Sequence, residues 1–185
     1  MNKNTSLVFV VLFAALIGVC GFISIPFSSG VPIVLQNMMV VLTGLMLGPV
    51  YGTLAVGLFL LSGALGLPVF SGGSGGFGSF LGVTGGFLYG YLLAAFVSGL
   101  IGKKPHAFED KKPFIIFLAS FIGFAIMYVP GLWHFKTFMG CTLKETFVWC
   151  LIPYVPGDLV KVVISSTIAI KLRGKVASII FPEED

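Results

Sequence analysis

Gly82-Val-Thr-Gly-Gly-Phe-Leu-Tyr-Gly-Tyr-Leu-Leu-Ala-Ala-Phe-Val-Ser-Gly-Leu-Ile-Gly102 runs for 21 residues without a charged side chain. A hydrocarbon core about 30 Å thick needs about 20 mostly apolar residues in helical form, so this stretch has the length and chemistry of a membrane span. Within it a small residue recurs at every fourth position: Gly82, Gly86, Gly90, Ala94, Ser98 and Gly102. Such a stripe lets a second helix approach at close backbone distance, which matters in lipid because apolar burial alone gives helices little reason to associate. Ala14 with Gly18, and Gly44, Gly48 and Gly52, repeat the spacing. Internal packing is the expected use of most of it, with one stripe available to dock a partner subunit.

The rest of the chain is of the same kind. Hydrophobic residues make up 57% of the 185 and charged residues 10%, with a mean hydropathy of +1.06, whereas roughly a quarter of a soluble domain is charged. Lipid cannot satisfy free backbone groups, which leaves helices or a closed barrel, and the long apolar runs lack the alternation of barrel strands. Runs bounded by Pro, Gly and charge predict helices near Leu7 to Ile25, Ile33 to Leu47, Tyr51 to Leu65, Val83 to Ile101, Phe114 to Val129 and Phe147 to Lys171. The expected fold is a single transmembrane domain, residues 1–185: an all-α integral membrane protein of six transmembrane helices with a glycine-rich, outward-facing loop between helices 3 and 4. The first run is long for a signal peptide and lacks an A-x-A cleavage site, and Val19 before Cys20 spoils a lipoprotein signal, so a retained helix is expected.

The formal charge is +4. The cations gather in loops rather than on one exposed face, so no nucleic-acid partner is expected. Of the eleven Lys and Arg, eight (Lys3, Lys103, Lys104, Lys111, Lys112, Lys171, Arg173 and Lys175) fall on one side, two (Lys136 and Lys144) on the other, and Lys161 within the last helix. The positive-inside rule then predicts a multi-pass protein with both termini and the loop from Gly102 to Pro113 in the cytoplasm; the membrane expected is a bacterial cell membrane. Pro26 to Pro32, Gly66 to Gly82 and Pro130 to Thr146 would face outward. Cys20, Cys141 and Cys150 have neither disulfide nor zinc spacing and read as packing residues.

Polar chemistry gathers on the outward side. Between Gly66 and Gly82 the residues Val69, Phe70, Phe77, Phe80 and Leu81 are too apolar for a solvated linker, which predicts a structured, partly buried loop. Its glycines let backbone approach a ligand closely, and Gly73, Ser74, Gly75, Gly76 and Phe77 are candidate binding residues. Asp158 and Lys161 are the ionisable residues expected inside a span, three apart and so able to pair on one helix face. The sequence before them, Pro153-Tyr-Val-Pro156-Gly, should break the helix, and a restart at Gly157 puts both in the first turns of a half-helix. A structural ion pair is the competing reading. Gln36, Thr84 and Tyr89 bring polar groups from the second and fourth helices to the same side, although Gln36 has the alternative of satisfying a neighbouring helix's backbone. Trp133 and His134 look like interfacial anchors. Gly99-Leu-Ile-Gly-Lys103-Lys104 lacks the spacing and Ser/Thr of a phosphate-binding loop. No metal cluster or nucleophile elbow is visible either, so neither an enzyme nor a cofactor is expected.

At these residues the chain resembles the BioY family, the substrate-capture (S) components of energy-coupling factor (ECF) transporters that import biotin. The resemblance covers nearly the whole chain and rests on Val31-Pro-Ile-Val-Leu-Gln36, on Phe70-Ser-Gly-Gly-Ser-Gly-Gly-Phe-Gly78 with Thr84-Gly85-Gly86, and on Pro156-Gly-Asp158-Leu-Val-Lys161. Val83 departs from it, standing where proline is expected before Thr-Gly-Gly. The resemblance implies six helices with cytoplasmic termini, biotin as substrate, and as partners a membrane coupling subunit and two ABC ATPase subunits beside membrane lipid. It implies a docking face on the first helix, for which Ala14 and Gly18 are the matching residues. Asp158 would accept from ureido N–H groups and Lys161 would meet an anionic or carbonyl oxygen; which charge meets which end of biotin stays open. Three rivals remain: an S component for another vitamin, a membrane-embedded enzyme using Asp158 as a base, and a structural subunit.

Overall fold

The computed structural model describes residues 3–103 and 113–180. The calls on Lys104, Lys111 and Lys112 in the Gly102 to Pro113 loop therefore lie outside the described residues. The elements run α1 (Lys3–Cys20), β1 (Ser24–Ile25), β2 (Ile33–Val34), α2 (Gln36–Ala64), a 3-10 turn (Ser71–Gly73), α3 (Gly78–Leu81), α4 (Gly85–Gly102), α5 (Pro113–Met139), α6 (Leu143–Cys150) and α7 (Val155–Ile180). By length and apolarity α2, α4 and α5 can each cross a membrane, and α6 with α7, bent by 57° at their junction, can form a further broken span. The chain is a multi-pass membrane protein.

The predicted second and third helices form one continuous element, α2, broken at Gly48 with φ 78° and ψ −178°. Only glycine adopts that conformation without strain, and Pro49 follows it. A straight helix would hold residues eight apart at about 12 Å. Here a Cβ on Gly52 would lie 2.8 Å from the Cα of Gly44, so the second half folds sharply back on the first.

Three other boundaries differ from expectation. The first helix ends at Cys20 rather than near Ile25, because Gly21 passes so close to the Gln36 side chain and the Val69 carbonyl that the chain leaves the helix and enters a two-strand hairpin, Ser24 opposite Val34. The fifth helix passes through Pro130 to Met139. A proline removes one helical hydrogen bond, but the next turn packs on α4, with Gly86 against Pro130 and His134. The last helix is two elements. A capping box between Thr142 and Glu145 starts α6, and after Cys150 the chain turns and restarts at Val155, two residues before the expected Gly157. Pro156 falls in the first turn of α7, where its missing N–H costs nothing.

The core lies where α2, α4 and α5 meet, with α1 and α7 on its flanks. Val40, Leu45, Phe59, Ala94 and Ala119 are almost inaccessible there. The α4 stripe is used internally: a Cβ on Gly86 would lie 2.4 Å from the Pro130 carbonyl oxygen of α5, and one on Gly90 would lie 2.6 Å from the Met127 carbonyl oxygen. The pair expected as a docking face is internal too. Ala14 is 7% exposed, Gly18 packs against Val69, and the outward face of α1 carries Val8, Val11, Leu12 and Val19. Small size at those two positions is thus consumed by contacts within the chain. At the end of the bundle away from α7's start, Arg173 donates to the carbonyls of Gly102 and Lys103, placing a cation at the C-terminus of α4.

Candidate functional site

A cavity of about 320 Å³ opens where the starts of α2 and α7 meet the glycine-rich segment. That volume is near the lower end of the roughly 300–1,000 Å³ usual for small-molecule sites. Its apolar walls include Val31, Ile33, Phe70, Phe87, Leu88 and Met127, and its polar groups include Ser74, Thr84, Tyr91, Tyr154 and a charged cluster on one side.

Asp158 is the centre of that cluster and 6% exposed. Its position in the first turn of α7 follows from the Pro156 restart, and there its charge is favoured by the helix dipole. Lys161, one turn on, donates from Nζ to Asp158 Oδ1 at 2.9 Å. Asn37, at the start of α2, joins the two: its Nδ2 donates to Asp158 Oδ1 at 3.2 Å, and its Oδ1 accepts from Lys161 Nζ at 3.1 Å. Tyr128 of α5 donates to Asp158 Oδ2 at 2.5 Å, and its ring is held edge-on against Phe87. Four side chains from three helices therefore form one network, and all four line the cavity.

A second network borders the cavity at Val31 and Tyr154. Tyr154, in the turn between α6 and α7, donates to the Val31 carbonyl. With that proton committed, the Ser29 hydroxyl 2.7 Å away is the donor to Tyr154, and Phe27 packs edge-on against its ring. The loop between the two short strands is thereby tied to the α6–α7 junction.

Of the residues singled out from sequence, Gln36, Ser74, Thr84, Asp158 and Lys161 line the cavity, while Gly73, Gly75, Gly76, Phe77, Gly85, Tyr89 and Pro156 do not. Gly75 and Gly85 make close backbone contacts with Leu67 and Phe80. Phe77 and Tyr89 are 65% and 45% exposed and each packs on Phe80. Gln36 turns its amide nitrogen to the carbonyls of Ile17 at 3.1 Å and Val69 at 2.9 Å, tying α1 and the glycine-rich segment to α2. His134 has a similar role rather than that of a simple anchor, its Nε2 lying 2.9 Å from the Gly82 carbonyl. Trp133 is 69% exposed. Sequence reasoning passed over Asn37, Tyr128 and Tyr154. Their signal was faint: a second amide beside Gln36, and tyrosines that an aromatic belt would equally explain.

Residues 1–178 match the BioY family. A biotin transporter BioY of Rhodobacter capsulatus is 42% identical over 183 residues, covering 91% of this chain and 92% of that protein. Another, of Thermotoga maritima, is 40% identical over 163 residues, covering 88% and 92%. Among solved structures, the S component for biotin from an ECF-type ABC transporter superposes with a TM-score of 0.82 at 30% identity, covering 94% of each chain.

Proposed function

The chain belongs to the BioY family, and from that premise we propose that it captures biotin outside the cell as the substrate-binding subunit of an ECF-type transporter, and is not itself an enzyme. The observation that carries the reading is the partly buried Asn37–Tyr128–Asp158–Lys161 network opening into a cavity of about 320 Å³. Biotin combines a ureido ring, bearing N–H groups and a carbonyl, with an apolar ring and an aliphatic chain ending in a carboxylate. A carboxylate acceptor beside an ammonium donor suits the ureido group, and Phe70, Phe87 and Leu88 suit the apolar part. Ser74 and Thr84 are the polar residues we assign to the rest of the ligand. The other residues singled out from sequence (Gly73, Gly75, Gly76, Phe77, Gly85, Tyr89 and Pro156) would shape the segments that carry those contacts.

The same reading makes the fold six spans: α1, the two halves of α2 about Gly48, α4, α5, and α6 with α7. The reversal at Gly48 and the loop cations support it. Both termini then lie in the cytoplasm, the cavity opens outward, and a membrane coupling subunit with two ATPases supplies energy. Equilibrium binding of labelled biotin to the purified chain, with other vitamins as competitors, tests the assignment. Saturable binding displaced by biotin alone is expected, and displacement by a different vitamin would sink it. Impermeant thiol labelling of a cysteine placed at position 107 tests the topology; labelling in intact cells would invert it.

A further inference from the structure

We propose that Tyr128 acts as a positioning residue that sets how many hydrogen bonds Asp158 can accept from a ligand, and thereby restricts the site to a polar head that presents one N–H beside a carbonyl. The proposal rests on the reading of this cavity as the biotin site, and adds to it which groups are read and what enforces the choice.

The argument is a count of donors and acceptors. A carboxylate oxygen has two lone pairs, an ammonium three donors and a side-chain amide nitrogen two. Asp158 Oδ1 receives Asn37 Nδ2 at 3.2 Å and Lys161 Nζ at 2.9 Å, which fills it. Oδ2 receives the Tyr128 hydroxyl at 2.5 Å and so keeps one acceptor position. Lys161 spends two of its three donors, on Asp158 Oδ1 and Asn37 Oδ1, and Asn37 spends one of its two on Asp158. Asn37 Oδ1 is itself filled by Lys161 Nζ and the Met38 N–H at 2.9 Å. What remains for a ligand is one acceptor on Asp158, one donor on Lys161 and one on Asn37. A carbonyl oxygen takes two donors, and an adjacent N–H supplies one acceptor its partner, so one edge of a cyclic urea or lactam uses all three. A ligand carboxylate does not: it brings no N–H, and the ammonium it would seek is already neutralised by Asp158. A cyclic guanidinium brings only donors, and finds a single open acceptor position where it needs two. Tyr128 is what withholds the second. Its hydroxyl is held on Oδ2 by a ring fixed against Phe87 with centroids 5.8 Å apart.

The test measures affinity for biotin and for its cyclic guanidinium analogue, 2-iminobiotin in its protonated form, in the wild type and in Tyr128→Phe. Phenylalanine keeps the ring and its contact with Phe87 but frees a second lone pair on Oδ2. The expected result is a shift of the biotin-to-guanidinium affinity ratio by on the order of tenfold toward the guanidinium, the size of one charge-assisted hydrogen bond. Equal weakening of both ligands, or no change in either, would overturn the proposal, since a tyrosine that only supports the fold cannot move the ratio. Should Tyr128→Phe fail to fold, the wild type decides with biotins methylated on one ureido nitrogen or the other. Loss of binding for one isomer and retention within about threefold for the other is expected from a single open acceptor position; equal loss for both would refute it. Failure of the underlying reading looks different: no biotin binding by the wild type, or an affinity unchanged by Asp158→Asn.

Discussion

The seam between α4 and α5 and the cavity at the start of α7 lie in the same bundle and are built by opposite means. Along the seam, Gly86 and Gly90 remove side-chain volume so that the backbones of two helices touch at Pro130 and Met127. At the cavity, long polar side chains from α2, α5 and α7 reach across a gap and bond to one another, leaving about 320 Å³ open. In lipid the first arrangement gives cohesion, because dispersion between closely approached backbones replaces the missing hydrophobic drive. The second gives chemistry, because charge is tolerated there only when paired and hydrogen-bonded. Stability and binding should therefore separate by region when each is mutated.

The largest effect is expected at the seam. Gly90→Leu puts a branched side chain where even a Cβ would meet the Met127 carbonyl oxygen at 2.6 Å, and a backbone atom cannot step aside. A loss of about 3 kcal/mol or more is expected from such overpacking, read as absence of a folded species in size-exclusion and thermal-unfolding assays. A Gly90→Leu protein that unfolds at the wild-type temperature would show that the seam is not tight.

Next comes Asp158→Asn, which keeps size and one acceptor but removes the charge. Biotin binding should weaken by roughly 1.5–3 kcal/mol while the protein still folds. If the pair were purely structural, the damage would instead appear as lost thermal stability, from the stranded Lys161 charge. The double change Asp158→Asn with Lys161→Met removes both charges. A stable protein that no longer binds keeps the cavity as the ligand site, whereas stability with near-normal affinity breaks the comparison.

Gln36→Leu sharpens it, because Gln36 borders the cavity yet holds the carbonyls of Ile17 and Val69. Stranding those acceptors should cost about 1–3 kcal/mol of stability and change affinity by less than about threefold. An affinity loss exceeding the stability loss would move Gln36 to the ligand. The smallest effect is expected for Gly18→Ala, whose Cβ would lie 3.3 Å from Val69. A change within about 0.5 kcal/mol and unaltered assembly with the coupling subunit are expected; loss of assembly at unchanged stability would restore the docking role first assigned to this face.

Much of this architecture was legible in the residues. Apolar run lengths marked the helices, and the Gly82-to-Gly102 spacing marked a helix made for close approach, because both properties repeat along the chain at the period of the helix itself. Pro153 and Pro156 marked the break before Asp158, since each ring locks φ and removes a donor and two of them stand within four residues, whereas the single Pro130 is carried inside α5. Boundaries at Cys20 and Met139 were not legible. Each depends on a contact with another segment, Gly21 beside Gln36 and Val69 in one case and Gly86 beneath Pro130 in the other.

The sequence by itself determined that the chain lives in a membrane, that the helical run before Asp158 is interrupted, and that Asp158 and Lys161 share a face, because hydropathy, a pair of close prolines and a three-residue spacing need no distant partner. Only the tertiary structure decided that Asn37 joins that pair while its neighbour Gln36 serves the backbone, that Tyr128 takes one of the acceptor positions of Asp158, and that Ala14 and Gly18 turn inward. Those outcomes depend on which helices become neighbours and at what rotation, and a polar side chain in lipid takes whichever partner that rotation brings within hydrogen-bond reach.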